Sequence, residues 1–413
     1  MHQHLVYAKK FRLPSQAANV LQAMNMAVAF GMAGARVRCF PGCSAEETAG
    51  PPDGQPGGGG NEARKRVLLE SMRRIGMREA PDGWTILPGD SKGEYGLRFR
   101  LSLLTAAMGR GDRLFYVRDL PELSFLSAMT RFLPRTLVYE AHEVLHLMHK
   151  AEGSGRWRET LRREKKALQS VAGLVALNPQ VLEEARDHLG YAGPALLAPN
   201  GYNPALFHAL PLFTEQTPWP GSADAVRLVY VGNFHPGKGV ETLIRAMTLL
   251  PSRFHLRVIG GSPEDILTSL RAETEALGLG GRVEFTGALP PQELWTACAG
   301  SHIFVIPQQS EFYLSPLKLN EAMALGLPVL ATPLSVFRRG IEAGQVSGAP
   351  GAGPEGLARG IAGLAGNPVL ANALRERGLA EAAGHTWRRR AENVLDFIKN
   401  LQAGRPRAAQ AAR

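Results

Sequence analysis

Residues 309–332 read QSEFYLSPLKLNEAMALGLPVLAT and combine a predicted helix start with the apolar strand that follows the helix. Ser315 can accept a backbone N–H and Pro316 has none to satisfy, so the pair predicts the first turn of the helix. Lys318 and Glu321 are three residues apart and therefore share one face near the positive end of the helix dipole. That arrangement suits the phosphates and hydroxyls of a nucleotide diphosphate. Taken alone, the stretch fits an ordinary capped surface helix with an ion pair equally well.

The chain has 413 residues, of which 45% are hydrophobic and 20% charged. This length and composition are typical of a globular protein with more than one domain. No run of about eighteen apolar residues occurs and the N-terminus lacks the pattern of a signal peptide, so we expect a cytoplasmic protein. The three cysteines have no metal-ligand spacing, and we expect no metal site.

The net charge of +10 is spread over the chain with local basic clusters, including residues 156–166. Such clusters fit peripheral contact with an anionic membrane at the inner face of the cell membrane, and they fit a solvated helix face as well. Aromatic residues that could stack on bases are not interleaved with them. We therefore expect no nucleic acid partner.

Apolar strand patterns alternate with helical patterns along the whole chain, which predicts parallel sheets with helical crossovers. We expect two tandem doubly wound α/β domains, with ligands at the carboxyl ends of the strands. The predicted boundaries are a first domain at 1–205, a linker at 206–225, a second domain at 226–385, a C-terminal helix at 386–403 that can pack back on the first domain, and a disordered tail at 404–413.

A second candidate phosphate site opens the second domain. The strand LVYVGN runs into FHPGKG at residues 234–239, and a helix beginning ETLIRA follows. Lys238 and two glycines thus lie at a strand-to-helix turn, where backbone N–H groups and an ammonium can converge on phosphate. A structural turn with a surface lysine would give the same pattern.

Several ordered motifs together resemble the retaining glycosyltransferases of family 4, in the subgroup that contains SPLK. The motifs are YVGNFHPGKGVETLIRAM, RVIGG, RVEFTGALPPQELWTACAGSHIFVIP and SPLKLNEAMALGLPVLAT in the second domain, and LPSQAANVLQAMNMAVAFGMAGARV, VYEAHE and APNGYNPALF in the first. The resemblance implies the GT-B fold, in which two Rossmann-like domains face a cleft. It also implies an acceptor-side first domain and a second domain that binds the nucleotide-sugar donor.

Transferred residue by residue, the resemblance implies roles in catalysis for His142, Lys238, Lys318 and Glu321. Lys238 would contact the diphosphate, Glu321 the ribose hydroxyls, Lys318 phosphate or sugar, and His142 the donor sugar. The implied nucleotide-binding residues are Gly232, Asn233, Gly239, Gly260, Gly261, Gly287, Ala288, Leu289, Tyr313, Leu314, Ser315, Pro316 and Leu317. Those implied beside the acceptor are Pro14, Ser15, Gln16 and Arg118.

Two positions depart from the family pattern. Asn233 stands where the family usually has an arginine, so Lys318 is our candidate for the second phosphate cation. Tyr313 stands eight residues before Glu321, where the family has its first acid, and Glu311 lies two residues earlier. Either a loop shift brings Glu311 into the site or the first acid is replaced. We favour replacement, because the predicted helix start leaves little room for slippage.

The expected function is transfer of a hexosyl group from a UDP- or GDP-sugar to a glycan or lipid-linked acceptor, with retention and without a tightly bound cofactor. Cell-surface polysaccharide or glycolipid synthesis is the expected context. The alternatives are a sugar-nucleotide epimerase or phosphorylase of the same fold, or a nucleotide-sugar-binding protein without catalysis. The sequence does not distinguish the donor base, the sugar, the acceptor or the oligomeric state.

Overall fold

The chain folds into two compact units. The computed structural model describes residues 3–15, 17–43, 60–79, 81–88, 92–109, 114–130, 135–151, 153–206, 219–261, 263–311 and 317–403. The first unit comprises Met1–Asn203 together with Trp387–Arg413, and the second comprises Pro204–Thr386. Most of the predicted linker and the whole predicted tail lie outside the described residues.

The first unit is built on a six-stranded parallel sheet with the order β2-β1-β5-β6-β7-β8. Its strands are β1 His4–Ala8, β2 Arg36–Cys39, β5 Leu114–Val117, β6 Thr136–Ala141, β7 Gly173–Ala176 and β8 Ala195–Leu197. Every residue of β5, β6 and β7 is buried, as expected for central strands covered on both faces. A separate two-stranded pair joins β3 Gly42–Cys43 to β4 Leu87–Pro88.

Helices connect these strands and cover the sheet. In its described residues, the first unit has the helices Ala18–Met32, Gly60–Arg74, Lys92–Met108, Leu120–Thr130, Leu145–Ala151, Trp157–Leu168, Pro179–Asp187 and Trp387–Ala403. The last of them begins where Trp387 N donates to Tyr202 O at 3.0 Å. Its apolar face, including Ala391 and Val394, enters the core of the first unit.

The second unit has a six-stranded parallel sheet with the order β11-β10-β9-β12-β13-β14. Its strands are β9 Val226–Val231, β10 Phe254–Ile259, β11 Val283–Gly287, β12 Ile303–Ile306, β13 Val329–Ala331 and β14 Ser347–Gly348. The α-helices in the described part of this unit are Val240–Thr248, Glu264–Ala276, Pro291–Cys298, Leu317–Ala324, Ser335–Glu342, Pro354–Ala365 and Pro368–Ala383. This strand order is that of a dinucleotide-binding doubly wound sheet.

The predicted fold class is confirmed in both units, but some elements were not predicted. Helix Leu120–Thr130 is apolar on most of its surface, so it lacks a helical period. Helix Ser335–Glu342 buries only Phe337, and β14 is two residues long. The helical pattern that follows His142 in the sequence forms two helices, Leu145–Ala151 and Trp157–Leu168. Among the described residues, no helix is long and apolar enough to cross a membrane.

Candidate functional site

The switch point of the second sheet lies between β9 and β12, the two neighbouring strands from which the strand order runs in opposite directions. In doubly wound folds, ligands bind in the crevice outside the carboxyl ends of the strands at this point. The chain leaves β9 at Gly232 and β12 at Pro307. We therefore expect a ligand site at the loops 232–239 and 307–311.

These two loops are in direct contact, and two glycines make the contact possible. Gly237 and Gly239 have φ values of +86° and +77°, which residues with a side chain rarely adopt. A Cβ at Gly239 would lie 1.8 Å from the carbonyl oxygen of Pro307. The Gly237 carbonyl accepts from Gln309 N at 2.8 Å. The predicted glycine-lysine turn is thus closed onto the loop that follows β12.

Lys238 lies in this turn, immediately before helix Val240–Thr248. Its side chain is half-buried, and burial lowers the pKa of its ammonium to about 8. A partly desolvated ammonium gains more from an anion than an exposed one does, because water competes less for it. The turn is therefore suited to bind a phosphate group.

A second group of predicted residues comes together at the carboxyl ends of β9, β10 and β11. Gly260 has a φ of +149°, and a Cβ there would lie 1.8 Å from the carbonyl oxygen of Gly232. Gly260 N donates to Gly287 O at 3.0 Å, and a Cβ on Gly261 would lie 3.4 Å from Ala288 N. These loops expose backbone along one rim of the switch point. Asn233 is exposed on the same rim and Leu289 is half-buried.

Helix Leu317–Ala324 carries the predicted cation and carboxylate. Lys318 Nζ lies 2.8 Å from Glu321 Oε2, as the three-residue spacing predicts, and 4.9 Å from the centre of the Trp295 ring. Glu321 is 7% exposed, and its burial raises the pKa of the carboxyl above its usual value. Tyr313, Leu314, Ser315 and Pro316 lie outside the described residues, as does the side chain of Leu317.

Glu311 has a structural contact of its own. Its carboxylate oxygens accept from Ser335 N at 3.0 and 3.2 Å and from Ser335 Oγ at 2.5 Å. The carboxylate therefore caps the N-terminus of helix Ser335–Glu342, where negative charge is stabilising. This engagement favours the interpretation in which Glu311 does not supply the family's first acid.

In the first unit, His142 and Arg118 are hydrogen-bonded to each other just beyond the ends of β6 and β5. Arg118 Nη2 lies 3.1 Å from His142 Nδ1 and also donates to Gln22 Oε1. The guanidinium can only donate, so Nδ1 accepts, and Nε2–H donates to Glu140 Oε1. Burial and Arg118 lower the pKa of His142 to about 4. Both ring nitrogens are thus engaged within the protein, and the ring is neutral at pH 7.

Arg390, from the C-terminal helix, completes this cluster and was not predicted as a site residue. Its Nη1 donates to Glu140 Oε2 at 3.0 Å, and Tyr116 Oη donates to the same oxygen. Burial alone would raise the pKa of Glu140, but Arg390 and His142 hold it well below its usual range. The signal in the sequence was the position of Arg390, three residues after Trp387 and on the apolar face of its helix.

The remaining predicted acceptor-side residues lie in the loop after β1. Ser15 Oγ accepts from Ala17 N at 3.2 Å, and Pro14 follows a cis peptide bond. Gln16 lies outside the described residues. The start of this loop is held by Lys9, whose Nζ lies 2.7 Å from Asp119. Among the described residues, no group of three His, Cys, Asp or Glu side chains could hold a metal ion.

Comparison with known families matches the region that contains the glycine-lysine turn and the Lys318–Glu321 pair. Residues 225–367 match the family described as glycosyl transferases group 1. Across a longer stretch, the chain is 27% identical over 288 residues to the D-inositol 3-phosphate glycosyltransferase of Nocardia farcinica, covering 63% of this chain and 60% of that protein. The chain therefore spans less than two thirds of that relative's length.

Two solved structures resemble nearly the whole chain, including the residues outside 225–367. Sucrose-phosphate synthase from Thermosynechococcus elongatus is 20% identical with a TM-score of 0.71, covering 98% of this chain and all of that one. HepE of Anabaena in complex with UDP-glucose is 17% identical with a TM-score of 0.68, covering 97% of this chain and all of that one. At these identities the likenesses show the fold, and the predicted GT-B class of two Rossmann-like parallel-sheet domains is confirmed.

Proposed function

We propose that this protein is a retaining glycosyltransferase of family 4, in the SPLK subgroup, that uses a UDP- or GDP-sugar as donor. The observation that carries the proposal is the half-buried side chain of Lys238, which lies between Gly237 and Gly239 in the turn at the switch point of the second sheet. The group 1 domain over residues 225–367 supports it. So does the solved complex of the structurally similar HepE with UDP-glucose.

In the proposed donor complex, the diphosphate lies at the glycine-lysine turn. Lys238 and the N–H groups of the turn stabilise the charge that grows on the leaving diphosphate as its bond to the anomeric carbon breaks. The acceptor oxygen forms the new bond on the same face, and its proton passes to a phosphate oxygen of the leaving group. Lys238 and these N–H groups supply the compensating positive charge, so we propose a reaction that is independent of metal.

Glu321 is the proposed partner of the ribose hydroxyls. The buried Glu321 carboxylate and the Lys318 ammonium form a charged pair near the start of their helix. A ribose hydroxyl can donate to the carboxylate without separating this pair. Lys318 remains the proposed second phosphate cation, since Asn233 cannot carry charge. Glu311 is engaged at Ser335, so we propose that Tyr313 replaces the first acid.

We propose that the acceptor is a glycan or lipid-linked glycan and that the protein works at the inner face of the cell membrane. Helix Trp157–Leu168 supports membrane contact, because its solvent face is strongly basic. The exposed cations of the helix and of the residue before it are Arg156, Arg158, Arg162, Arg163, Lys165 and Lys166. Trp157 is half-buried, with Arg158 4.7 Å from its ring centre. A basic face with an interfacial aromatic suits anionic lipid.

Sedimentation with vesicles tests the membrane contact. Each basic residue near an anionic surface contributes about 1 kcal/mol, so replacing Arg162 and Arg163 by Gln should weaken binding to vesicles that contain phosphatidylglycerol roughly thirtyfold. The matched control replaces Arg66 and Arg73, which are exposed on helix Gly60–Arg74, and should bind nearly as wild type. Equal binding by all three proteins would refute the assignment to this helix.

A donor screen by thermal shift tests the proposed function. A nucleotide sugar at about a hundred times its dissociation constant stabilises the protein by about 2.7 kcal/mol. We expect one UDP- or GDP-sugar to stabilise the wild type and the Glu311→Gln control, and to lose most of its effect in Lys238→Ala. A screen in which no nucleotide sugar stabilises the wild type would contradict the proposal.

A nucleotide-sugar-binding protein without catalysis is the second candidate. It is favoured by Asn233 in place of the family's arginine and by the ion pair that already engages Lys318. Such a protein would show the thermal shift without releasing nucleoside diphosphate on any acceptor. An epimerase or phosphorylase of the same fold would instead convert the donor without an acceptor hydroxyl, or would require inorganic phosphate.

A further inference from the structure

The buried carboxylate of Glu140 is shared between two elements of the first unit that are far apart in sequence. Oε2 accepts from Arg390, which belongs to the C-terminal helix, and Oε1 accepts from His142 Nε2–H. Glu140 and Arg390 are 1% and 4% exposed. A paired charge in such a site is held firmly, because removing one partner leaves the other buried and uncompensated.

Arg390 is itself fixed by further contacts. Its Nε donates to the carbonyl oxygens of Ala198 and Pro199 at 3.1 and 3.0 Å, just beyond β8. Its Nη1 also lies 2.8 Å from Met26 Sδ. The guanidinium therefore has a set position in the core of the first unit, and the C-terminal helix carries it there.

We propose that Arg390 is a positioning residue for His142, because by sharing the Glu140 carboxylate it keeps His142 in the neutral form whose Nδ1 accepts from Arg118. Without Arg390, the whole negative charge of Glu140 would face His142 and favour a second proton on the ring. A protonated ring donates from both nitrogens, and Nδ1–H would then point at a guanidinium that also only donates. His142 or Arg118 would have to move.

Charged and polar groups of several elements act on His142 directly or through its partners. Arg118 beyond β5, Glu140 on β6 and Arg390 on helix Trp387–Ala403 act on the ring itself. Tyr116 on β5 donates to Glu140, Tyr7 on β1 interacts electrostatically with Glu140, and Gln22 on helix Ala18–Met32 accepts from Arg118. Arg118 and Arg390 both disfavour the imidazolium, and Glu140 favours it. Arg390 can thus be replaced while Arg118 stays beside the ring, so the effect of Arg390 on the pKa of His142 can be measured separately.

This inference rests on the proposed function only in that the family resemblance gives His142 a contact with the donor sugar. A neutral ring with both nitrogens engaged offers the sugar a fixed surface and takes no part in proton transfer. Arg390 would therefore act only through His142, as a positioning residue. Loss of Arg390 should raise KM for the donor more than it lowers kcat, and this rise should grow as the pH falls from 8 to 5 and His142 gains a proton.

Nitrogen-15 NMR of the histidine rings tests the inference without any substrate. In the full-length wild type we expect His142 as the Nε2–H tautomer, neutral at pH 6. In Arg390→Gln we expect the pKa of His142 to rise by at least about one unit. In the double variant Arg390→Gln with Glu140→Gln the charge that attracts the proton is gone, so the pKa of His142 should fall back to its wild-type value or below.

Two controls separate positioning from folding. Arg390→Lys keeps the charge and should restore the wild-type titration, and Arg388→Gln removes an exposed charge from the same helix and should change nothing. A wild-type His142 that is protonated near pH 6.5, or that carries its proton on Nδ1, would overturn the inference even if Arg390→Gln did not fold. An unchanged titration in a folded Arg390→Gln would do the same. Absence of sugar transfer would remove the proposed function and leave these NMR results standing.

Discussion

The lowered pKa of Lys238 predicts that nucleotide affinity depends on pH in a range where lysines ordinarily do not titrate. With a pKa of about 8, the free ammonium is about 90% protonated at pH 7.0 and about 25% protonated at pH 8.5. A bound diphosphate stabilises the ammonium and raises its pKa, so the bound form stays protonated. Affinity should therefore fall about fourfold between these pH values, or by about 0.8 kcal/mol.

Isothermal titration with UDP and with GDP at pH 7.0 and 8.5 measures this effect. The matched control is Lys238→Arg, because arginine stays charged over the whole range and the nucleotide's own titration is common to both proteins. We expect the ratio of dissociation constants at the two pH values to be about four times larger for the wild type than for the control. Equal ratios would refute the reasoning, since Lys238 would then be an ordinary exposed lysine or lie away from the phosphate.

Three further predictions concern other parts of the structure. Gly239→Ala should lower nucleotide affinity at least about tenfold, because its Cβ would meet Pro307 O. The control is Gly278→Ala, which has a φ of +69° and open space around the Cβ and should cost only about 1 to 2 kcal/mol of stability. Glu311→Gln should lower the free energy of unfolding by about 1 kcal/mol and leave nucleotide affinity within about twofold, and a tenfold loss of affinity would restore Glu311 as a site acid. His142 has a folded pKa of about 4 and an ordinary value near 6.5, so the unfolded chain binds more protons between them and stability is lost as pH falls through this window. Urea unfolding at pH 7.5 and 5.0 should show His142→Gln losing about 2 kcal/mol less than the wild type, and equal losses would contradict the buried neutral ring.

The parts of the site that could be predicted from sequence are those made by neighbouring residues. Lys238 and its glycines follow a strand and precede a helix, so the strand-to-helix turn could be placed from local pattern alone. Lys318 and Glu321 are three residues apart, and their ion pair follows from helix geometry. Both parallel sheets were predicted from strand patterns that alternate with helical patterns, because each of these patterns is formed by neighbouring residues.

The parts that could not be predicted depend on contacts across long stretches of chain. Glu140 and Arg390 are 250 residues apart, and nothing local to either residue indicates the pairing. The sequence left open whether a loop shift brings Glu311 into the site, and only the structure shows Ser335, from an unpredicted helix, bound to its carboxylate. The family resemblance implied a donor-sugar contact for His142, but its tautomer follows only from Arg118 and Glu140 together.

The most direct measurement of the central claim is the initial rate of nucleoside diphosphate release from the preferred donor, with and without acceptor. In the wild type we expect the release to depend on an acceptor. In Lys238→Ala and in Glu321→Ala we expect release to be at least about tenfold slower, because the loss of one charged contact costs about 1.4 kcal/mol. The Glu311→Gln control should keep the wild-type rate. Wild-type rates in both alanine variants would contradict the claim that the switch point of the second sheet holds the donor.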